Sequence, residues 1–261
     1  MWIERLARFG YTTKGIVYVI IGILAVMAAF GTGGKTTGSK GAIRTIAAQP
    51  FGQFLLILAA LGLLGYVIWR FVEAIKDPDN KGTDAKGIVT RIGYAISGSI
   101  YATLAFYAAN MALGSGGASG GNSKQDWTAR LLAQPFGRWL VGIIGIVIIG
   151  VGFYRLYKAY KTKFRRKLNL RELSLSQERA VVNTCRFGIA ARGVVFVLIG
   201  IFLTRAARQY DASEVKGLDG ILLTVAQQPF GKFLLTLVAL GLVAYGIYML
   251  VQARYRQIQT T

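Results

Sequence analysis

The chain contains no histidine and a single cysteine, Cys185. The first absence removes the commonest general base and the commonest nitrogen ligand for metals. A catalytic triad, a histidine-ligated haem and a zinc protease site are therefore excluded. The second absence excludes an intrachain disulfide. Acidic residues are scarce: 11 Asp and Glu stand against 31 Lys and Arg, for a formal charge of +20. No carboxylate lies near the middle of any long apolar run, which argues against proton-coupled transport, because an intramembrane acid usually marks such a path. Proline is rare, with 4 in 261 residues, against 33 glycines. That bias suits closely packed membrane helices.

What is present is apolar. Hydrophobic residues make up 54% of the chain and the mean hydropathy is +0.47, more than a soluble chain of this length usually carries. Such an excess of positive charge fits nucleic acid or an anionic membrane surface. The apolar runs decide for the membrane, and no nucleic-acid partner is expected. Six runs approach the twenty or so residues that cross a bilayer as helix: 12–31, 52–74, 92–113, 136–157, 189–206 and 230–252. Backbone polar groups cannot be left unpaired in lipid, so each should be continuous helix. The first run has no small-residue cleavage site before Gly31 and reads as a retained signal anchor. About two thirds of the 31 basic residues fall on the side that carries both termini, which predicts cytoplasmic termini.

Two motifs recur three times. Gln-Pro-Phe-Gly stands at Gln49-Pro50-Phe51-Gly52, Gln134-Pro135-Phe136-Gly137 and Gln228-Pro229-Phe230-Gly231. About 42 residues before each copy comes Arg8-x-Gly10-x-x-x-x-Gly15-x-Val17-Tyr18, then Arg91-x-Gly93-x-x-x-x-Gly98-x-Ile100-Tyr101, then Arg186-x-Gly188-x-x-x-x-Gly193-x-Val195-Phe196. One module is thus written three times: residues 1–76, 77–161 and 183–261, with a basic linker at 162–182. Each module holds two spans, so all three share one orientation. Parallel repeats predict an all-α membrane protein of three helical hairpins about a pseudo-threefold axis, unlike inverted-repeat transporters. A closed ring is the simplest arrangement and an open row of hairpins the alternative.

The segments 42–47, 127–132 and 220–225 read as short interfacial helices on the outer side, with Asp126 and Asp219 as candidate N-caps. Each following proline suits the first turn of the next helix. The Gly/Ser-rich stretches Gly31 to Gly41 and Gly114 to Ser123 read as tethers. Ser174 and Gln177 form a capping-box pattern, so Ser176 to Arg186 should be helical.

Candidate binding residues follow from the repeats. Arg8, Arg91 and Arg186 precede spans at one motif position, and a ring of guanidinium groups would attract an anion or a lipid headgroup. The plainer reading makes them anchors that reach the headgroups. The block Lys158, Lys161, Lys163, Arg165, Arg166 and Lys167 predicts contact with anionic lipid, at about 1 kcal/mol per basic residue. Arg70 and Glu73 are spaced to pair on one helix. Gly62 with Gly65, Gly142 with Gly145, and Gly241 with Ala244 mark close helix packing. Tyr18, Tyr101, Tyr107, Tyr154, Tyr245 and Trp69 form an interfacial belt or line a pocket. A redox role for Cys185 is not expected, because Ala7 and Thr90 stand at its place in the other modules.

With both motifs in order across nearly the whole chain, and Leu-Gly-Leu-x-x-Tyr in the even spans, the sequence resembles the bacterial membrane family called domain of unknown function 1206. The second module departs most: Val147 replaces the glycine at Gly62 and Gly241, and Val151 replaces Tyr66 and Tyr245. The resemblance implies three tandem two-helix repeats in a bacterial membrane; it implies architecture and not mechanism, so no catalytic residue is carried over, and the bacterial inner membrane is the expected location. The expected role is non-enzymatic, without cofactor or metal: a scaffold or accessory protein binding anionic lipid, and a protein partner through 158–188. The alternative is a passive channel or carrier for anions or small solutes along the pseudo-threefold axis.

Overall fold

The structure, a computed structural model, describes residues 2–114, 123–170 and 173–257. The helices are α1 (Trp2–Phe30), α2 (Ser39–Ala47), α3 (Gly52–Ile75), α4 (Ala85–Ala112), α5 (Ser123–Leu132), α6 (Gly137–Tyr160), α7 (Leu175–Gln209), α8 (Leu218–Ala226) and α9 (Gly231–Tyr255). Six of them, α1, α3, α4, α6, α7 and α9, are long and apolar enough to cross a membrane. The odd helix of each module starts well before its apolar run. The Asp84 carboxylate caps α4 at the Gly87 N–H, and Ser174 with Gln177 closes a capping box on α7. Nothing breaks the helix after that start, so Ser176 to Arg186 runs on into the span. Asp126 and Asp219 lie inside the first turns of α5 and α8 rather than at the caps, because both helices begin earlier than expected. Their charge still suits a helix N-terminus there. The stretch expected as a tether from Gly114 to Ser123 falls almost wholly outside the described residues.

The Gln-Pro-Phe-Gly motif is a turn, not the first turn of a helix. The carbonyls of Gln49, Gln134 and Gln228 accept from the N–H of Gly52, Gly137 and Gly231 at 2.8, 2.9 and 2.7 Å. Proline stands second, where its fixed φ presets the bend. Phenylalanine stands third with φ of 60°, 64° and 60°, as a type II turn demands. The fourth residue must be glycine, because a Cβ would run into the carbonyl of the short helix just before it. Each turn swings the chain from a short helix straight into a span.

Across the bundle the spans follow the order α4, α3, α1, α9, α7, α6. Three of these contacts are equivalent under the repeat: α3 with α4, α6 with α7, and α9 with α1 each join the even helix of one module to the odd helix of the next. Glycines set how close they come. A Cβ on Gly15 would meet the Gly246 carbonyl, one on Gly193 the Gly152 carbonyl, and one on Gly98 the side chains of Arg70 and Phe71. Within modules, α1 packs on α3 and α7 on α9. There the backbones of Gly10 and Gly188 lie against those of Tyr66 and Tyr245.

The second module breaks the symmetry. No packed interface joins α4 to α6, so this module is not a packed hairpin. Gly93, the counterpart of Gly10 and Gly188, has nothing within 4 Å of its Cβ position, and neither has Gly150. The substitutions coincide with the opening. Thr13 touches Gly62, and Ala191 touches Gly241. The matching pair in the second module is Ile96 and Val147, two larger side chains that are 56% and 58% exposed. The six spans thus close around the axis on every side but one.

Candidate functional site

Each motif arginine belongs to an interface between modules. Arg8 donates to the carbonyls of Ala253 and Arg254 at the end of α9, at 2.6 and 2.7 Å. Arg91 donates to the matching carbonyls of α3, Ala74 and Ile75, at 2.7 and 2.9 Å. These are carbonyls left without partners by helix termination, at the negative end of the helix dipole. Arg186 lines a groove between α6 and α7 with the corresponding Ala159 and Tyr160. Arg8 and Arg91 are therefore spread over separate interfaces and occupied by backbone.

A different set of cations converges inside the bundle. Lys14 is buried at 3% exposure. Its ammonium donates to the Tyr66 hydroxyl at 2.6 Å and sits 4.2 Å from the ring centres of both Tyr66 and Tyr101. Arg70 donates to the same hydroxyl at 2.6 Å and stacks on Tyr66. Arg192 lies over Tyr18 and Tyr245 at 4.4 and 4.5 Å. Arg155 lies over Phe196 at 4.8 Å and meets the Tyr245 hydroxyl. The tyrosines join these into one layer: the Tyr18 and Tyr101 hydroxyls are 3.3 Å apart, and Tyr18 meets Tyr245 edge to face.

Carboxylate is short in this layer. Arg70 pairs with Glu73 at 2.7 Å, as their spacing predicts. Arg256 takes the other Glu73 oxygen. Among the described residues, the buried Nε–H groups of Arg155, Arg192 and Arg256 have no hydrogen-bond partner, and of the three only Arg256 has a carboxylate on its guanidinium group. Stacking on an aromatic face contributes about 0.5–2 kcal/mol, whereas taking an ion out of water costs several. The arrangement is short of an anion.

The terminal face is sealed by polar contacts. Arg256, 4% exposed, donates to Tyr11 and Glu73 and reaches Asp79 at 3.2 Å. Lys167 pairs with Asp79. Burial raises the Asp79 carboxyl, but Arg256 and Lys167 more than offset this and hold it at about 2. The linker folds under the bundle here: Phe164, Leu168 and Leu170 are buried, and Asn169 donates to the Tyr255 carbonyl. The basic block is divided as a result. Lys161, Lys163, Arg165 and Arg166 are exposed, with Arg165 paired to Glu178. Lys158 and Lys167 turn inward.

Of the aromatic set, Tyr18, Tyr101, Tyr107, Tyr245 and Trp69 are core residues and not an interfacial belt. Their polar tips find partners inside: Trp69 donates to Tyr11 at 3.1 Å, and Arg44 to Tyr107 at 2.7 Å. Tyr154 alone of the six is exposed. Cys185 is buried, at the place that Ala7 holds in the first module. Sequence reasoning missed Lys14, Arg155, Arg192 and Arg256 as a group. The available signal was register: Lys14, Ser97 and Arg192 each fall four residues after the motif glycines Gly10, Gly93 and Gly188.

The sequence profile of the family described as Domain of Unknown Function (DUF1206) matches three times, over residues 9–77, 92–162 and 187–256. The chain is 38% identical to "Uncharacterized protein YxxB" of Bacillus subtilis (strain 168) over 255 residues, covering 98% of this chain and 92% of that protein. No solved structure matches. With the family profile repeated along nearly its whole length and a relative aligned end to end, this six-span chain belongs to the Domain of Unknown Function (DUF1206) family.

Proposed function

We propose that the protein is a non-enzymatic membrane protein whose central layer of Lys14, Arg70, Arg155 and Arg192 holds an anionic ligand. The observation that carries this is that Arg155 and Arg192 keep buried, unpartnered Nε–H groups and, unlike Arg256, have no carboxylate among the described residues, beside a Glu73 already shared by two other arginines. A phosphate-type anion suits forked guanidinium donors. Orientation with both termini in the cytoplasm of a bacterial inner membrane fits the basic bias. The exposed Lys161, Lys163, Arg165 and Arg166 would then lie against the anionic leaflet, beside the linker offered to a protein partner. An anion at Arg8, Arg91 and Arg186 has less support, since the first two guanidinium groups already hold carbonyls. Passage along the axis also has less support, because Tyr18 touches both Tyr101 and Tyr245, linking three helices.

The test is equilibrium dialysis of the protein in nanodiscs against radiolabelled inorganic phosphate, for wild type and for Arg155→Gln with Arg192→Gln. Saturable binding lost in the double variant, with the thermal unfolding profile retained, supports the reading. A folded double variant that binds like wild type refutes it.

A further inference from the structure

The opening between α4 and α6 stands beside the cationic layer. Ile96 on α4 adjoins Ser97, which shares the register position of Lys14 and Arg192 and meets Tyr66. On α6, Tyr154 adjoins Arg155. Exposure along these helices follows the break in symmetry. Trp69 and Tyr248 are 1% and 6% exposed, whereas their counterpart Tyr154 is 56% exposed. Ile96 and Val147 are 56% and 58% exposed, where Thr13 is buried at 7%. Ile92, Ile100 and Ile143 extend the same two apolar faces. Arg70, Ser97, Arg155 and Arg192 each keep one side partly exposed.

In a bilayer a gap lined in this way lies in the hydrocarbon, so apolar chain fills it and not water. An apolar slot that ends on guanidinium groups with no carboxylate partner among the described residues matches one kind of molecule in both chemistry and order: an anion carried on an acyl chain. Resting on the anion-binding reading above, we infer that the ligand is a phosphate-headed lipid that enters sideways between α4 and α6. Its headgroup meets Arg155, Arg192 and Lys14, and its chain lies along Ile96, Ile100, Val147 and Val151. The second module has given up its internal packing where the lipid passes. It keeps small residues, Gly98, Gly145 and Gly152, where it packs on its neighbours.

The test fills the slot without touching the cations. Gly93→Leu with Gly150→Leu adds side chains where nothing lies within 4 Å. Full-length protein is reconstituted in phosphatidylcholine nanodiscs holding a minor fraction of phosphatidic acid. Retained lipid is read by native mass spectrometry, and inorganic phosphate binding by dialysis. The expected result is preferential retention of phosphatidic acid by wild type, reduced about tenfold or more in the filled variant, because the added side chains occupy the space of the acyl chain and hold the headgroup off the guanidinium groups. Phosphate binding should be unchanged. Equal lipid retention in the filled variant overturns the sideways route. Phosphate binding without preference for phosphatidic acid leaves the anion site standing and removes the lipid. No binding of either anion removes both. A wild-type dimer that the filling dissociates assigns the slot to a second copy of this chain and overturns the proposal.

Discussion

Three glycines occupy one motif position, and only two of them are closely packed. A Cβ on Gly10 would fall 2.6 Å from the Tyr66 Cα and 2.7 Å from its Cβ, and one on Gly188 would fall 2.6 Å from the Tyr245 Cα. The obstacle is backbone, so helices must separate, and overpacking of this kind costs about 1–3 kcal/mol. Gly93 has open space at the same place. Replacing any of the three by alanine also gains about 1 kcal/mol of helix propensity. That gain is common to all and cancels in the comparison. Gly93→Ala should therefore be neutral or stabilise by up to about 1 kcal/mol. Gly10→Ala and Gly188→Ala should each fall about 1–3 kcal/mol below it. Unfolding by rising SDS fraction in mixed micelles, followed by far-ultraviolet circular dichroism, measures the three on one scale. Equal destabilisation at Gly93 and Gly10 would refute the open second module, because it would require α4 to be packed through that glycine.

Removing the guanidinium caps should expose the neighbouring helix ends. Arg8→Ala and Arg91→Ala are each expected to cost about 1.5–3 kcal/mol in the same assay, and lysine should rescue poorly at Arg91, where Nε and Nη2 each hold one carbonyl. Asp79 sets an acid limit. Its carboxyl is depressed to about 2, so its stabilisation is complete above the ordinary value of 3.8 and is lost as pH falls through 2. The amount is about 2 kcal/mol, and Asp79→Asn should remove that part of the pH dependence from unfolding curves taken between pH 5 and pH 2. Rebuilding the second module with first-module residues, as Ile96→Thr, Val147→Gly and Val151→Tyr, should draw α4 towards α6. A spin-label distance between Ile92 and Ile146 would then shorten, and an unchanged distance would mean that the flanking interfaces hold the helices apart.

The spans and the threefold repeat were legible because both are local patterns: apolar runs of bilayer length, and two motifs at constant spacing. The arginine motif was visible but its use was not. Arg8 finds its carbonyls 245 and 246 residues along the chain, and no window of sequence connects them. Lys14 and Arg192 were hidden for a different reason. One cation in a long apolar run barely moves its mean, so each read as part of a span or its flank. Val147 and Val151 were recognised as departures, yet a departure does not say which neighbour is lost. Only the packing shows that the position serves the contact inside a module. The turn chemistry was half legible: proline announced a boundary, but the left-handed phenylalanine after it is an exception to steric preference and gives no compositional signal.

Charge and shape lead to the same place from independent directions. Repeat symmetry alone would put three equivalent residues at each level of the axis. Instead the Lys14 position reads Lys14, Ser97 and Arg192, and the Arg70 position reads Arg70, Arg155 and Met249. Each level thus holds two basic residues and one that carries no ionisable group. One of the four, Arg70, is answered by Glu73. A fold that needed only to close its axis would do better with apolar side chains, since a buried ion without its counter-ion is among the costliest things a bilayer protein can hold. The cations are retained beside the one interface that is absent. An internal counter-ion would have made the opening unnecessary, and a closed second module would have left an anion carried on an acyl chain no sideways route to the charges. The two irregularities therefore have one physical explanation, an anion that arrives from the membrane.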